Sequence, residues 1–387
     1  MKRSIAAVLT LLTLLSLTAC GGRQEILLPE IPEETTQTTE PEMEIEVIDP
    51  QEEALNARLA QMTTEEKVGQ LFFVRMPVDT EVTDVSAYHL GGYVVFWRNI
   101  KERTAQELTD LLSACQAAAD IPLFLGTDEE GGSVVRFSLN RDLRPASFSS
   151  PRFLYDNGGL QALTDTCAEK DAFLRQFGIN VTLAPVADCA TEESAFIYPR
   201  TVGNSPAETA ECIRTMVEQM AADGMGACLK HFPGYGNNVD THTAVAVDDR
   251  PYTQFVTEDF LPFQAGIKAG APFVLVSHNI ITCMDPDLPA SLSPAVHDIL
   301  RNTLGFEGLI ITDDLTMAAV AEYVENGSAA VQAILAGNDM IITTDYPTQI
   351  AQVLEAVENG TLPMDTVDAA CRRVLRVKME MGLLNQL

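Results

Sequence analysis

Between residues 71 and 343 the chain repeats one arrangement: a short apolar run, then a longer stretch with helical, amphipathic spacing. Eight such runs are found, at Leu71–Arg75, Tyr93–Trp97, Leu123–Thr127, Val181–Val186, Ala227–His231, Phe273–Ser277, Leu309–Asp313 and Met340–Thr343. Runs that are apolar on both faces suit strands covered on both sides, and parallel strands need a crossover of helix length between them. Stretches such as Thr104–Ala118, Pro206–Ala222, Leu315–Ala336 and Met364–Met381 carry the helical pattern. Eight βα units predict an α/β fold of the (β/α)8 TIM-barrel type with a single catalytic domain, in preference to a doubly wound sheet, which usually holds fewer strands.

Polar residues gather at one end of these runs. Asp128 with Glu129, Asp188, Lys230 with His231, His278, and Asp313 with Asp314 stand at or just past the C-terminal ends. In a barrel those ends converge on one mouth, where active sites are built. A single charged strand end commonly serves solvation, but five ends carrying acids, imidazoles or an ammonium point to a site.

The densest cluster runs from Lys230 to His242 through a Gly- and Asn-rich loop, with Asp240 and His242 two residues apart. A carboxylate at that spacing can orient an imidazole and tune it near neutral pH, where it donates and recovers a proton. The alternatives are an incidental polar loop or a metal site, and no HxxxH or paired cysteine supports a metal. The second cluster, Gly308 to Met317, ends an apolar strand in Asp313 and Asp314. Strand alternation sends their side chains in different directions, so one can act as nucleophile while the other caps or braces. Both faces of this strand are apolar, so periodicity does not choose between them.

Outside the repeat, Met1-Lys2-Arg3 precedes an uncharged apolar run from Ile5 to Ala19, too short to span a bilayer and laid out like a secretory signal. It ends in Leu17-Thr18-Ala19-Cys20-Gly21, which resembles a bacterial lipobox with Cys20 as the lipidated residue; an ordinary cleavage site near Ala19 is the alternative. The Glu-, Pro- and Thr-rich stretch that follows has too few apolar residues to fold and reads as an extended spacer. The expected organisation is a lipoprotein signal peptide at 1–20, a disordered acidic tether at 21–50 and the barrel domain at 51–387. Localisation is then the extracellular face of the bacterial cytoplasmic membrane, with the membrane contacted through the lipid alone. A net charge of -30 argues against nucleic acid or anionic lipid as a partner. Of the eight cysteines, the seven other than Cys20 lack CxxC spacing and mostly sit among apolar residues, so they read as small buried hydrophobes, with one or two disulfides left open.

From about Met62 to the C-terminus the sequence resembles glycoside hydrolase family 3, and within it the bacterial β-N-acetylglucosaminidase branch. The stretches that carry the resemblance are Met62 to Phe72 (MTTEEKVGQLF), Gly91 to Phe96 (GGYVVF), Asp128 to Arg136 (DEEGGSVVR), Ala184 to Asp188 (APVAD), Pro199 to Gly203 (PRTVG), Lys230 to Gly236 (KHFPGYG) and Ile311 to Met317 (ITDDLTM). The resemblance implies Asp313 as nucleophile, Asp240 and His242 as the Asp-x-His dyad with His242 as acid/base, and Asp128, Arg136, Arg200, Lys230 and His231 as sugar-binding positions. It implies no cofactor and no metal, a carbohydrate substrate carrying N-acetylglucosamine, and a retaining mechanism through a covalent glycosyl-enzyme. Tyr235 departs from the family's usual KHFPGHG, which bears on how the loop closes or which aglycone it accepts.

Other readings are a β-glucosidase or β-xylosidase of the same family, a glycosyl phosphorylase using the same dyad, and a sugar-binding lipoprotein without turnover. Substrate-assisted chemistry on the Asp128–Glu129 pair is disfavoured because Asp313 lies where the family places its nucleophile. The natural substrate and the oligomeric state are not legible in the sequence.

Overall fold

Seven of the expected strands pair side by side and in parallel in the computed structural model. They are β1 (Phe73–Arg75), β2 (Gly92–Val94), β3 (Phe124–Thr127), β4 (Val181–Thr182), β5 (Gly226–Phe232), β7 (Phe273–Val276) and β9 (Leu309–Thr312), in that order across one sheet. Registers such as Phe73 opposite Gly92, and Val274 opposite Ile310, are parallel throughout. Two further short strands, β6 (Val247–Asp248) and β8 (Ile280–Ile281), pair with each other in a separate small sheet that the sequence reading did not foresee. The structure describes residues 50–237, 246–317, 320, 323 and 328–384. The expected signal peptide with Cys20, the tether up to residue 49, and the loop residues Asp240 and His242 lie outside these residues.

The eighth run, Met340–Thr343, bonds to both edges of the sheet. Ile341 N donates to Leu71 O (2.8 Å), Phe73 N to Ile341 O (2.9 Å) and Arg75 N to Thr343 O (3.1 Å) on one side. On the other, Thr312 N donates to Met340 O and Met340 N to Ile310 O, both at 3.2 Å. The run forms isolated parallel bridges at Met340 and Ile341 instead of a continuous strand. The established architecture is an α/β fold whose parallel sheet is curled, with helices outside it.

Three expectations are corrected. The second run stops at Val94 instead of Trp97, and Trp97–Ile100 is a short helix. Asn99 holds its entry by accepting from Phe96 N (3.1 Å) and donating to Pro77 O (2.7 Å). The fourth strand is regular only over Val181–Thr182; Leu183 N still donates to Thr127 O (2.9 Å) and Ala184 O still accepts from Cys228 N (2.8 Å), Pro185 then has no N–H to give the ladder, and parallel contact resumes where Val186 bridges Lys230. The helix expected from Leu315 begins as a turn over Leu315–Met317, since Asp314 draws Thr316 N to its carboxylate (3.0 Å), and the described helix there is Ala329–Ala336.

The other three expected helices form with local reasons for their ends. Ala105–Ala117 starts from a capping box in which Thr104 and Glu107 satisfy each other's backbone N–H groups. Pro206–Ala222 starts from Ser205, with Pro206 where its missing N–H costs nothing. Met364–Glu380 ends at Met381 just before Gly382, whose φ is 71°. Their inward residues, such as Leu108, Leu112, Ile213, Met216, Val217 and Leu375, join the core outside the sheet. Full burial of each such side chain contributes about 1.5–3 kcal/mol.

Five of the seven cysteines beyond Cys20 are buried as expected, Cys189 is half-buried and Cys283 is exposed, and all seven are free thiols. Burial pushes the Cys115, Cys212, Cys228 and Cys371 thiols up to about 12, so they behave as apolar packing groups at neutral pH.

Candidate active site

Alternation along the strands decides which polar residues meet. The inner face of the curled sheet is filled by Phe73, Val94, Phe124, Leu183, Cys228, Leu275, Leu309, Ile311 and Ile342. Counting on by two from these residues leads to Arg75, Phe96, Lys230 and Asp313, and by four from Phe124 to Asp128. Ile310 belongs to the core under the helices, so Asp314 continues the outer row. Periodicity left open which of the two acids shares the inner row, and the packing of Leu309 and Ile311 puts Asp313 on it, with Asp314 at the rim of the same cavity.

These inner rows end at a cavity of about 370 Å3. Val94, Leu183, Leu275 and Ile342 floor it, and Arg75, Phe96, Asp128, Glu130, Arg136, Arg200, Lys230, His231, Asp313 and Asp314 rise around it. Asp313 and all five expected sugar-binding residues therefore share one cavity. Asp240 and His242 lie outside the described residues.

One wall is a charge network. Lys230 Nζ reaches Asp128 Oδ1 at 2.8 Å and Glu130 Oε1 at 2.7 Å. Arg200 grips Glu130 through two parallel hydrogen bonds of 2.9 and 2.8 Å, the bidentate geometry that suits guanidinium and carboxylate. Arg136 Nη2 donates to Asp128 Oδ2 at 3.3 Å. Burial alone would raise the Glu130 carboxyl, but the Lys230 and Arg200 charges outweigh it and hold it at about 2. Burial likewise disfavours the Lys230 ammonium, yet Asp128 and Glu130 carry its pKa above the ordinary value. Glu130, Lys230 and Arg200 are thus held charged and already paired, so the wall can share hydrogen bonds with a polar ligand without rearranging.

His231 stands at the end of this wall with its tautomer defined by its neighbours. Its Nδ1 lies 2.7 Å from Asp188 Oδ2, and its Nε2 lies 3.3 Å from Arg200 Nη2. Arginine only donates, so Nε2 is the acceptor and the ring proton sits on Nδ1, donated to Asp188. Asp188 also accepts from the backbone N–H groups of His231 (3.1 Å) and Tyr235 (2.8 Å). The Tyr235 ring packs edge-on against His231 at 5.0 Å and against Phe196 at 5.4 Å. At the position where the family usually has a second histidine, this chain has a buried brace for the first.

Asp313 and Asp314 divide their work. The Asp313 carboxylate accepts from Asp314 N at 2.8 Å and faces the cavity. Asp314, at the rim, accepts from Thr316 Oγ1 (2.7 Å) and Thr344 Oγ1 (3.0 Å) and holds the turn after β9. Glu129 is fully buried and takes the backbone N–H groups of Arg136 and Phe137, both at 2.8 Å. It shapes the segment that presents Arg136. His278 is buried between Ser291 Oγ (2.7 Å) and the Asp314 carbonyl (3.2 Å) and does not line the cavity.

The sequence reading missed Glu130, Arg75 and the part played by Asp188. Glu130 follows Asp128 in a run of acids that turns as it leaves β3, where strand parity no longer applies. The turn needs Gly131, whose φ is 104° and where a Cβ would lie 2.2 Å from Ser149 O. Among the described residues, no group of three His, Cys, Asp or Glu side chains is arranged to hold a metal ion.

The model of the glycosyl hydrolase family 3 N-terminal domain matches residues 63–377. The chain belongs to glycosyl hydrolase family 3. It is 36% identical over 278 residues to a protein of Xanthomonas campestris pv. campestris named beta-hexosaminidase, a match spanning 70% of this chain and 82% of that one. Among solved structures it is similar to a family 3 beta-N-acetylglucosaminidase from a Paenibacillus species, with a TM-score of 0.77 and 27% identity. That match spans 83% of this chain and 63% of the Paenibacillus chain, which is therefore substantially longer. LpqI of M tuberculosis is similar with a TM-score of 0.75 and 28% identity, over 83% of this chain and 95% of LpqI. The family 3 chain is a glycoside hydrolase related to the hexosaminidases.

Proposed function

We propose that this family 3 chain is a retaining β-N-acetylglucosaminidase that removes terminal β-linked N-acetylglucosamine from peptidoglycan fragments or related glycans. The observation that carries the reading is Asp313 on the inner row of β9, in one cavity with a wall of paired charges fitted to hydroxyls. The names of the Xanthomonas and Paenibacillus relatives support the N-acetylhexosaminide class.

In the mechanism, Asp313 attacks the anomeric carbon and the glycosidic C–O bond breaks. His242, oriented by Asp240, gives its proton to the leaving oxygen. A water then bonds to the same carbon while His242 takes its proton, and the Asp313 ester bond breaks to regenerate the carboxylate. Asp128, Arg136, Arg200, Lys230 and His231 hold the hydroxyls of the terminal sugar. Histidine as acid/base is cationic before it donates and neutral afterwards, so in neither state does it add negative charge to a site that holds Asp128, Glu130 and Asp313.

The hydrogen bonds from residues 340–343 to both sheet edges support a sheet closed as a (β/α)8 barrel. Residues 1–20 direct export, Cys20 carries the lipid, and 21–50 tether residues 51–387 on the outer face of the bacterial cytoplasmic membrane. These assignments rest on the sequence alone.

The dyad gives the test. General acid/base groups contribute about a hundred- to ten-thousand-fold, so His242→Ala loses that much on natural glycans and far less on a nitrophenyl glycoside. Azide, which needs no base, restores turnover and yields the glycosyl azide with retained configuration. Equal losses on both substrates with no azide effect refute the acid/base assignment. Release of sugar phosphate in phosphate buffer would instead favour the phosphorylase.

A further inference from the structure

Arg250 gathers three parts of the chain that are separate in sequence. Its Nε donates to both carboxylate oxygens of Asp248 at 3.0 Å, and its Nη2 donates to Asp248 Oδ2 at 2.8 Å. Its Nη1 donates to Asp259 Oδ2 at 2.8 Å, and its Nη2 also reaches Gly234 O at 3.3 Å. The guanidinium lies over the Phe255 ring, 4.3 Å from the centroid. Asp248 and Asp259 are both buried, and a buried carboxylate needs a partner charge, which Arg250 supplies to each. None of these three residues lines the cavity that holds Asp313.

The chain on either side of Tyr235 is shaped to this group. Gly234 has a φ of 124°, and a Cβ there would lie 2.4 Å from Asp259 Oδ1. Gly236 has a φ of 56°, and a Cβ there would lie 2.6 Å from Arg250 Cζ. Bare backbone therefore rests directly on the ion pair at both positions. Asp248, the other partner, belongs to β6, which β8 holds in place. Val247 pairs with Ile280 and Asp248 with Ile281, while Ile280 N donates to Ala246 O and Thr282 N to Asp248 O, both at 2.9 Å.

Gly234 and Gly236 precede residues 238–245, which include Asp240 and His242, and Asp248 follows them. One guanidinium thus joins the two flanks of that segment and ties both to Asp259. Neutralising the two buried acids would not by itself require the bond to Gly234 O or the close seat of Gly236; those contacts join the flanks. A general acid must stand within hydrogen-bond reach of the oxygen it protonates, and a misplacement of about 1 Å can cost about a hundredfold in rate. Fixing both ends of a segment limits where the residues between them can stand.

We propose that Arg250 is a positioning residue for His242, holding both flanks of residues 238–245 from outside the cavity. This rests on the assignment of His242 as acid/base and goes beyond it by naming the group on which the placing of that histidine depends.

The test uses the full chain and measures kcat/KM on an N-acetylglucosamine-containing glycan and on nitrophenyl β-N-acetylglucosaminide. The variants are Arg250→Lys, Gly236→Ala, His242→Ala and the two double variants with His242→Ala. Lysine keeps a charge beside Asp248 and Asp259 but lacks the fork that also reaches Gly234 O. Gly236→Ala keeps every ion pair and pushes one flank off the guanidinium, so it carries the test even where Arg250→Lys fails to fold. Each single variant is expected to lose about ten- to hundredfold on the glycan, whose leaving group needs the proton, and far less on the nitrophenyl glycoside. Added to His242→Ala, neither costs anything further, because the residue they act through is gone. Wild-type rates in both variants, or losses that add in full to that of His242→Ala, overturn the proposal. So do losses equal on both substrates while His242→Ala keeps its dependence on the leaving group. Where His242→Ala itself loses equally on both substrates, the acid/base reading fails, and non-additivity with His242→Ala still assigns Arg250 the placing of that residue.

Discussion

Glu130 shows how a site residue can govern a whole wall of the cavity without being obvious in the sequence. It is the shared counter-ion of Lys230 and Arg200, and only its burial beside both makes it so. Its folded carboxyl is held at about 2 against an ordinary 4.5. A depressed carboxyl contributes stability that is present above about pH 4.5 and is lost as pH falls towards 2. The contribution is on the order of 3 kcal/mol. Urea unfolding followed between pH 6 and 3 therefore gives a steeper loss for the wild type than for Glu130→Gln, which starts less stable and is flatter. Parallel curves would contradict this. That Asp128, Arg136, Arg200, Lys230 and His231 would gather at one cavity was legible because each lies in a stretch that carries the resemblance to the family. Which of Asp313 and Asp314 continues the inner row was not legible from periodicity, because both faces of β9 are apolar and only the inner packing of Leu309 and Ile311 distinguishes them; the resemblance to the family alone pointed to Asp313 as nucleophile.

At the scale of elements, legibility followed local chemistry. The helix Pro206–Ala222 falls where the sequence placed it, since Ser205 and Pro206 mark its start, and the capping box of Thr104 and Glu107 likewise fixes the helix after it. Thr104→Ala removes an N-cap and destabilises the domain by about 1 kcal/mol. Thermal unfolding should register this as a fall of about 1–2 °C, with activity intact. A change of several degrees would mean that the helix start also carries tertiary load. Elements were misplaced where a side chain competes with the regular pattern. Asn99 ends the second strand early, Pro185 interrupts the fourth, and Asp314 turns the chain after β9. The small sheet of β6 and β8 escaped because two-residue strands carry no periodicity.

For the whole molecule, the eightfold alternation announced the curled parallel sheet, and the polar strand ends announced which end of it holds the cavity. Among the described residues no helix is long and apolar enough to cross a membrane. The lipid proposal, which rests on the sequence of residues 1–20, predicts that Cys20→Ser releases the full chain from the membrane fraction with its specific activity unchanged, as read by fractionation. A variant that stays membrane-bound would rule out the lipid as anchor. The central claim, that Asp313 is the nucleophile of a retaining hydrolase, is tested most directly by the mass of the protein after reaction with a slow fluorosugar. A single added glycosyl unit is expected, mapped by peptide digestion to Asp313 and absent from Asp313→Asn, whose turnover falls by about a thousandfold or more. An adduct on Asp314, or normal turnover in Asp313→Asn, would contradict it.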